Sequence, residues 1–162
     1  MSKDISGVST ALGYGERILV VYMTQGVDLL SGVLNACKAN GISSGLICYC
    51  IGSLKEVNFK SVSYDPSSPA GGVYSGMQRF EGAIQVLNGQ GCIGHNETGE
   101  LFAHMHITFV DGKTGTIFGG DIDPGNNPVM TRLEVGIIAL RDMVIKAEFD
   151  PQDGYHLVPK SL

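Results

Sequence analysis

The sequence is poor in charge. Asp, Glu, Lys and Arg make up 17% of its 162 residues, against 43% hydrophobic residues, where soluble domains usually carry about 25% charged residues. A shortfall of this kind fits a chain that buries part of its surface against copies of itself. The sequence also lacks a basic patch. Its 11 Lys and Arg residues are scattered and the formal net charge is −5, whereas proteins that grip DNA cluster cations against the phosphates. Direct DNA binding is therefore not expected of the chain alone. Long apolar runs are missing too: Ile18-Leu-Val-Val-Tyr-Met23 is typical of the longest, far short of the ~20 residues that span a bilayer. Met1-Ser-Lys-Asp-Ile-Ser6 leads directly into mixed sequence, with no secretory leader legible. The expected location is the cytoplasm.

Cysteine is sparse. Cys37, Cys48, Cys50 and Cys92 lie in apolar stretches and read as reduced core thiols. Cys48 and Cys50 would share one face of a strand, but an isolated C-x-C is a weak metal signal. No internal repeat, low-complexity segment or domain boundary interrupts the chain, whose length suits one domain.

Hydrophobic periodicity gives an α+β reading: a mainly antiparallel sheet with one major helix packed on it. Arg17–Met23 reads as a buried strand. Leu29, Leu30, Val33, Leu34 and Cys37 then recur at helical spacing, with Asp28 at the positive N-terminal end and Asn40-Gly41 as the stop. From Gly45 the period becomes two. Leu46–Ile51 and Glu56–Ser61 read as strands joined by a tight turn at Gly52-Ser53, and Tyr64–Gly72 as a surface loop. Further strands are expected over Val73–Phe80, Ala83–Ile93, Leu101–Val110, Thr116–Ile122, Arg132–Leu140 and Val144–Phe149.

The informative chemistry lies in Leu101-Phe-Ala-His-Met-His-Ile-Thr-Phe-Val110. Ala103, Met105, Ile107 and Phe109 point to one face, which should be core. Phe102, His104, His106 and Thr108 point to the other. The two imidazoles then stand side by side, about 7 Å apart at the backbone, close enough to share an ion. Asp111-Gly-Lys-Thr-Gly115 is a strong turn signal, so Thr116–Ile122 should fold back antiparallel. If Val110 pairs with Gly115, His106 lies opposite Gly119 and His104 opposite Asp121, which brings Asp121 onto the histidine face. A slip of one residue would turn it away. Two imidazoles and a carboxylate make a three-ligand set with an open position, suited to Zn²⁺, Mn²⁺ or Fe²⁺. Gly119 and Gly120 would let a ligand approach the sheet closely. The alternative is a pair of solvent-facing histidines.

Other signals are weaker. Gly89-Gln-Gly-Cys-Ile-Gly94 matches G-x-G-x-x-G in form, but a turn and a strand follow it where a dinucleotide site requires a helix. His95 reads as a surface histidine and His156 carries no assignment. Glu134, amid Leu133 and Val135, is a candidate general base, a ligand, or an ion-paired edge residue. Arg79 and Arg132 could hold an anion but read more simply as surface ion pairs.

Taken together, Gly26-Val-Asp-Leu-Leu30, Gly41-Ile-Ser-Ser44, Ile51-Gly-Ser-Leu54, His104-Met-His106, Gly119-Gly-Asp121 and Thr131-Arg-Leu-Glu-Val135 resemble the PPC (PCC) domain family, in its single-domain prokaryotic form, over roughly residues 15–145. The resemblance implies an α+β fold and a homotrimer. Plant members carry a separate basic AT-hook, which this sequence lacks, so only the assembly function carries over. Where the family has Gly-Gly-His, this chain has Gly119-Gly-Asp121. The fold is also similar to that of acetolactate decarboxylase, whose zinc is held by an H-x-H pair on a strand and a further histidine. That likeness is one of fold and establishes no activity. Two functional readings remain. One is a homotrimeric assembly, ligand- or metal-binding module with zinc as the favoured ion. The other is a metal-dependent lyase or decarboxylase acting on a small oxo- or hydroxy-acid, with Glu134 moving protons and an arginine holding the carboxylate. A third, a DNA-associated regulator, is opposed by the charge balance.

Overall fold

The structure is a computed structural model describing residues 3–4, 8–69, 71–150 and 154–162. Residues 1, 2 and 5–7, at the start read above for a leader, lie outside the described residues. In chain order the elements are β1 (Lys3–Asp4), β2 (Ser9–Thr10), β3 (Tyr14–Thr24), α1 (Leu29–Ala39), β4 (Gly45–Lys60), β5 (Val62–Tyr64), β6 (Gly72–Tyr74), β7 (Gln78–His95), β8 (Leu101–Asp111), β9 (Ile117–Ile122), β10 (Val129–Arg141), β11 (Met143–Asp150) and β12 (Gly154–Ser161). The fold is α+β but dominated by sheet.

The helix forms where its periodicity placed it. Asp28 is its N-cap, and the carboxylate accepts a hydrogen bond from Ser31 N at 2.9 Å, satisfying one of the N–H groups left free at a helix start. Asn40 caps the other end, and Gly41 follows at φ +63°. Leu29, Leu30, Val33 and Cys37 face the sheet and are buried.

The main sheet runs β12-β11-β7-β8-β9-β4-β10-β3, and β7 also pairs with β4. All its pairings are antiparallel except a single parallel bridge between β11 and β7. Because β4 holds β7 along one edge while β9 returns to its far end through Phe59↔Ile122 and Lys60↔Asp121, strands β4, β7, β8 and β9 curl into a closed ring. Phe59 and Phe109 fill its interior edge to face at 5.1 Å, with Phe80 and Phe118 packed against each other alongside, tilted at 39°.

Three expectations need correcting. Gly52-Ser53 is not a turn, because β4 runs unbroken through it. Gly52 instead takes φ +143° where β10 crosses very close: a Cβ there would lie 2.5 Å from the Arg132 carbonyl oxygen and 2.6 Å from Leu133 Cα. The glycine serves backbone approach, one of the two uses of a glycine within a strand pattern. Cys48 and Cys50 do not share a face, since the pairing of β4 with β10 shifts between Gly136↔Tyr49 and Ile137↔Ile47. The extra residue leaves Cys48 exposed and Cys50 buried, and burial pushes the Cys50 thiol up to about 12. Finally, Arg17–Met23 belongs to an edge strand buried on one side only. Val21 and Met23 enter the core, while Ile18, Val20 and Tyr22 stand 78%, 53% and 58% exposed. An apolar run cannot tell two buried faces from one buried and one sticky face.

Boundaries moved as well. Val73–Tyr74 belongs to the small β5–β6 hairpin, whereas Gln78–Phe80 opens the long β7. Gly89–Gly94 lies inside β7 with no helix after it, so the G-x-G-x-x-G match has no phosphate-binding geometry.

Gly52→Ala is expected to lower the unfolding free energy by about 2 kcal/mol or more, from backbone strain and overpacking together. Gly76→Ala, at a position with nothing within 4 Å, should be close to neutral. The urea midpoints of the two variants check this, provided the slopes stay unchanged.

Candidate metal centre

On β8 the inward residues Ala103, Met105, Ile107 and Phe109 are buried, and His104, His106 and Thr108 face out. The close approach of β7 supports this stretch. Gly91 packs so tightly on the backbone of His104 and Met105 that a Cβ there would collide with the His104 carbonyl.

The return strand is displaced from the expected register. Val110 pairs with Ile117, His106 with Asp121 and Thr108 with Gly119, two residues along from a Val110–Gly115 pairing. The cause is the loop. Asp111 accepts at its Oδ1 from Lys113 N (3.1 Å) and at its Oδ2 from the Thr114 hydroxyl (2.9 Å), its carbonyl accepts from Gly115 N, and its own N–H reaches Thr116 O at 3.0 Å. The turn therefore uses Thr116 as well. A two-residue displacement preserves side-chain parity, so Asp121 stays on the histidine face but lies opposite His106 instead of His104.

The three side chains converge. His104 and His106 present Nε2 atoms 3.0 Å apart, their rings crossed at 70°. His104 Nδ1 lies 3.5 Å from Asp121 Oδ1. One ligand atom from each residue falls within a 4.8 Å span. A tetrahedral ion with bonds of 2.0–2.1 Å holds its ligands about 3.3 Å apart, so the set must draw in by up to ~1.5 Å, with His104 offering one of its two ring nitrogens, to hold a small divalent ion. Burial holds the His104 imidazole below the usual histidine range. Asp121 opposes that shift and His106 adds to it. The neutral imidazole is the form that ligates a metal.

Beside this set lies a cleft of about 380 Å³. His106 and Asp121 line one part of it, Thr108, Gly119 and Gly120 its floor, and Lys60, Asn88, Gln90 and Tyr74 the remainder. Asn88 and Gln90 pair with Thr108 and His106 across β7–β8, and Lys60 pairs with Asp121 across the ring closure. The β7 amides could have been found from their alternation along the strand. Lys60 could not, because it reaches the site through a contact between β4 and β9 that no local pattern encodes.

The other candidates lie elsewhere. Glu134 is on β10, with β4 and β7 between it and β8, and its Oε1 accepts a 2.7 Å hydrogen bond from the Tyr49 hydroxyl. Arg79 is held by Glu56 through Nε at 2.7 Å and Nη2 at 2.9 Å, and also meets Glu81. Arg132 is exposed on β10 opposite Thr24. His95 ends β7 opposite Leu101. None of these four lines the cleft.

A family model for the Plants and Prokaryotes Conserved (PCC) domain matches residues 12–141. The chain belongs to the PCC domain family. Solved structures bear out the PCC fold. A plant- and prokaryote-conserved (PPC) protein of Pyrococcus horikoshii superposes with a TM-score of 0.75 at 20% identity, over 94% of this chain and 99% of that one. A protein of Archaeoglobus fulgidus described as metal-containing gives 0.72 at 18% identity, over 92% and 99%. A protein of Bacteroides thetaiotaomicron described as a candidate DNA-binding protein gives 0.68 at 17%, over 99% and 96%. At these identities the likeness is one of fold. A search of curated proteins finds no match.

In this PCC domain the convergence of His104, His106 and Asp121 depends on the Asp111 loop. The hydrogen bond from Lys113 N, and next that from Thr114, hold the Asp111 carboxyl below its ordinary value. A carboxylate shifted down stabilises the fold above its unfolded value of about 3.9 and loses that contribution as pH falls through the folded value. Asp111→Ala should therefore melt below the wild type at pH 7, and the gap in Tm should close progressively below about pH 4 in a calorimetric pH series.

Proposed function

We propose that this chain is a metal-binding PCC module, with His104, His106 and Asp121 as ligands, zinc as the favoured ion, and a homotrimer as its working form. The observation that carries the metal reading is the convergence of three ligand atoms from two paired strands within 4.8 Å, on an outward face beside a cleft. Three protein ligands leave a coordination position open, the arrangement of sites that take up a water or a small molecule. The metal-containing description of the A. fulgidus protein agrees in kind. Four free cysteines suit the reducing cytoplasm, and among the described residues no helix is long and apolar enough to cross a membrane.

The trimer reading is supported by the outer sheet face. Paired rows Tyr22–Glu134–Ile51 and Ile18–Ile138–Leu46 cross β3, β10 and β4, and Ile18, Val20, Tyr22, Leu46 and Ile51 are exposed together. A contiguous apolar face of this kind marks an interaction surface. The second row continues through Cys92 to His104, so the apolar face and the ligand set occupy the same side of the sheet.

The lyase reading has less support. The carboxylate proposed to move protons is bonded to Tyr49 two strands from the ligand set, and Arg79 is bound to Glu56.

Untagged protein loaded with Zn²⁺ and desalted should retain one ion per chain by elemental analysis. His104→Ala should weaken retention by more than the 10–100-fold typical of outer-shell changes. A wild type that retains no ion would remove the metal reading. By light scattering coupled to gel filtration, the wild type should show three times the 17.2 kDa chain mass, and Val20→Asp should show single chains. A monomeric wild type would remove the trimer.

A further inference from the structure

The cleft carries a cation on the side facing the ligand set. Lys60 is the Cα partner of Asp121, which is in turn the partner of His106. Since residues directly opposite share a face, the Lys60 stem, the carboxylate and the imidazole stand in one row. The ammonium group meets Asp123 at 3.5 Å and its side chain remains 43% exposed, so a three-donor group keeps capacity for a second acceptor. Among the described residues no other Lys or Arg lines the cleft, and the nearby polar groups are neutral: the Asn88 and Gln90 amides and the Thr108, Ser61 and Tyr74 hydroxyls. The glycine floor at Gly119 and Gly120 keeps the space beside the ligands open, and about 380 Å³ accommodates a molecule of a few heavy atoms along with several waters of ~30 Å³ each.

Charge selects the occupant. Without an ion, the Asp121 carboxylate and the Lys60 ammonium are the charged groups of the cleft lining and offset one another, while Asp123 pairs with Lys60 from outside it. A divalent ion on two neutral imidazoles and one carboxylate makes the cleft net positive and adds an open position for an oxygen donor. Building on the metal reading above, we propose that the cleft binds a small carboxylate carrying a second oxygen donor. The metal takes the chelating oxygens and Lys60 holds the carboxylate, making Lys60 the specificity-determining residue of the site. The molecule class is set by three features: one anionic group for Lys60, one or two oxygens for the metal, and a body small enough for the cleft.

The test uses full-length protein loaded with Co²⁺, whose visible absorption responds when a ligand enters the coordination sphere, together with calorimetric titration. Glycolate is the probe and neutral glycolamide its control. The proposal expects glycolate to alter the cobalt spectrum and to bind more tightly than glycolamide. Lys60→Met should keep the metal stoichiometry and weaken glycolate about 10- to 100-fold, the range for losing one charge-assisted hydrogen bond, and Lys60→Arg should restore most of it. Retained cobalt with no glycolate binding, or with equal affinity in wild type and Lys60→Met, would overturn the role of Lys60 and leave the metal centre standing. Glycolate binding that is identical in the metal-free protein would also overturn the proposal. Failure of the wild type to retain cobalt would remove the metal reading, and this inference with it.

Discussion

Antiparallel pairing between β8 and β9 is the constraint on which the rest of this molecule turns. A strand has a side-chain period of two, so the register of that one hairpin decides whether Asp121 stands with the histidines or against the phenylalanines. The register is written in the loop, where the Asp111 carboxylate binds Lys113 N and the Thr114 hydroxyl and the turn closes on Thr116. The same placement carries β9 far enough to meet the end of β4 at Phe59 and Lys60. One turn thus brings His104, His106 and Asp121 together, closes the ring of strands around Phe59 and Phe109, and brings a lysine from a point some sixty residues away to the edge of the cleft.

The second constraint is the outward apolar face. Leaving Ile18, Val20 and Tyr22 in water forgoes roughly 25 cal/mol for every Å² that could be buried, a cost the proposed association would recover. A carboxylate at the centre of such a face would be expensive to bury alone. Glu134 is supplied with a donor by Tyr49, whose own ionisation is pushed up by that hydrogen bond. The Tyr49 ring lies over Gly136, where any side chain would collide with it. Together they place a satisfied polar pair within an apolar surface, a feature that favours one docking geometry over non-specific adhesion.

Local chemistry was legible in the sequence and long-range geometry was not. Helix α1 has its cap, its apolar stripe and its stop within 14 consecutive residues, Asp28–Gly41, and each acts through neighbours in the chain. The alternation around His104 and His106 is equally local. The reading failed where a residue answers to a distant partner. Gly52 looks like a turn because glycine commonly makes turns, yet its conformation is required by β10 pressing on it from eighty residues away. Cys48 occupies a bulge that exists only in the pairing with β10. The side-chain hydrogen bonds of Asp111 lengthen the turn and move the hairpin register by two residues, an even displacement that leaves the face of Asp121 unchanged. Lys60 had no local signal at all.

These constraints bear on what kind of chemistry the site supports. A proton-moving enzyme needs a titratable group beside the reacting atoms. The cleft offers Lys60, the proposed ligands, and amides and hydroxyls, while Glu134 is committed to Tyr49 across the sheet. What the arrangement favours is a gain of positive charge. Asp121 and Lys60, the charged groups of the cleft lining, offset one another, and a divalent ion at the proposed site would leave the cleft attractive to anions. On the proposed reading, ligand uptake is conditional on metal, and the condition is electrostatic, requiring no movement of the backbone. On the same reading, Asp121 in place of the histidine of the Gly-Gly-His pattern would strengthen this dependence, because its negative charge offsets Lys60 in the metal-free state and would anchor the ion in the loaded one.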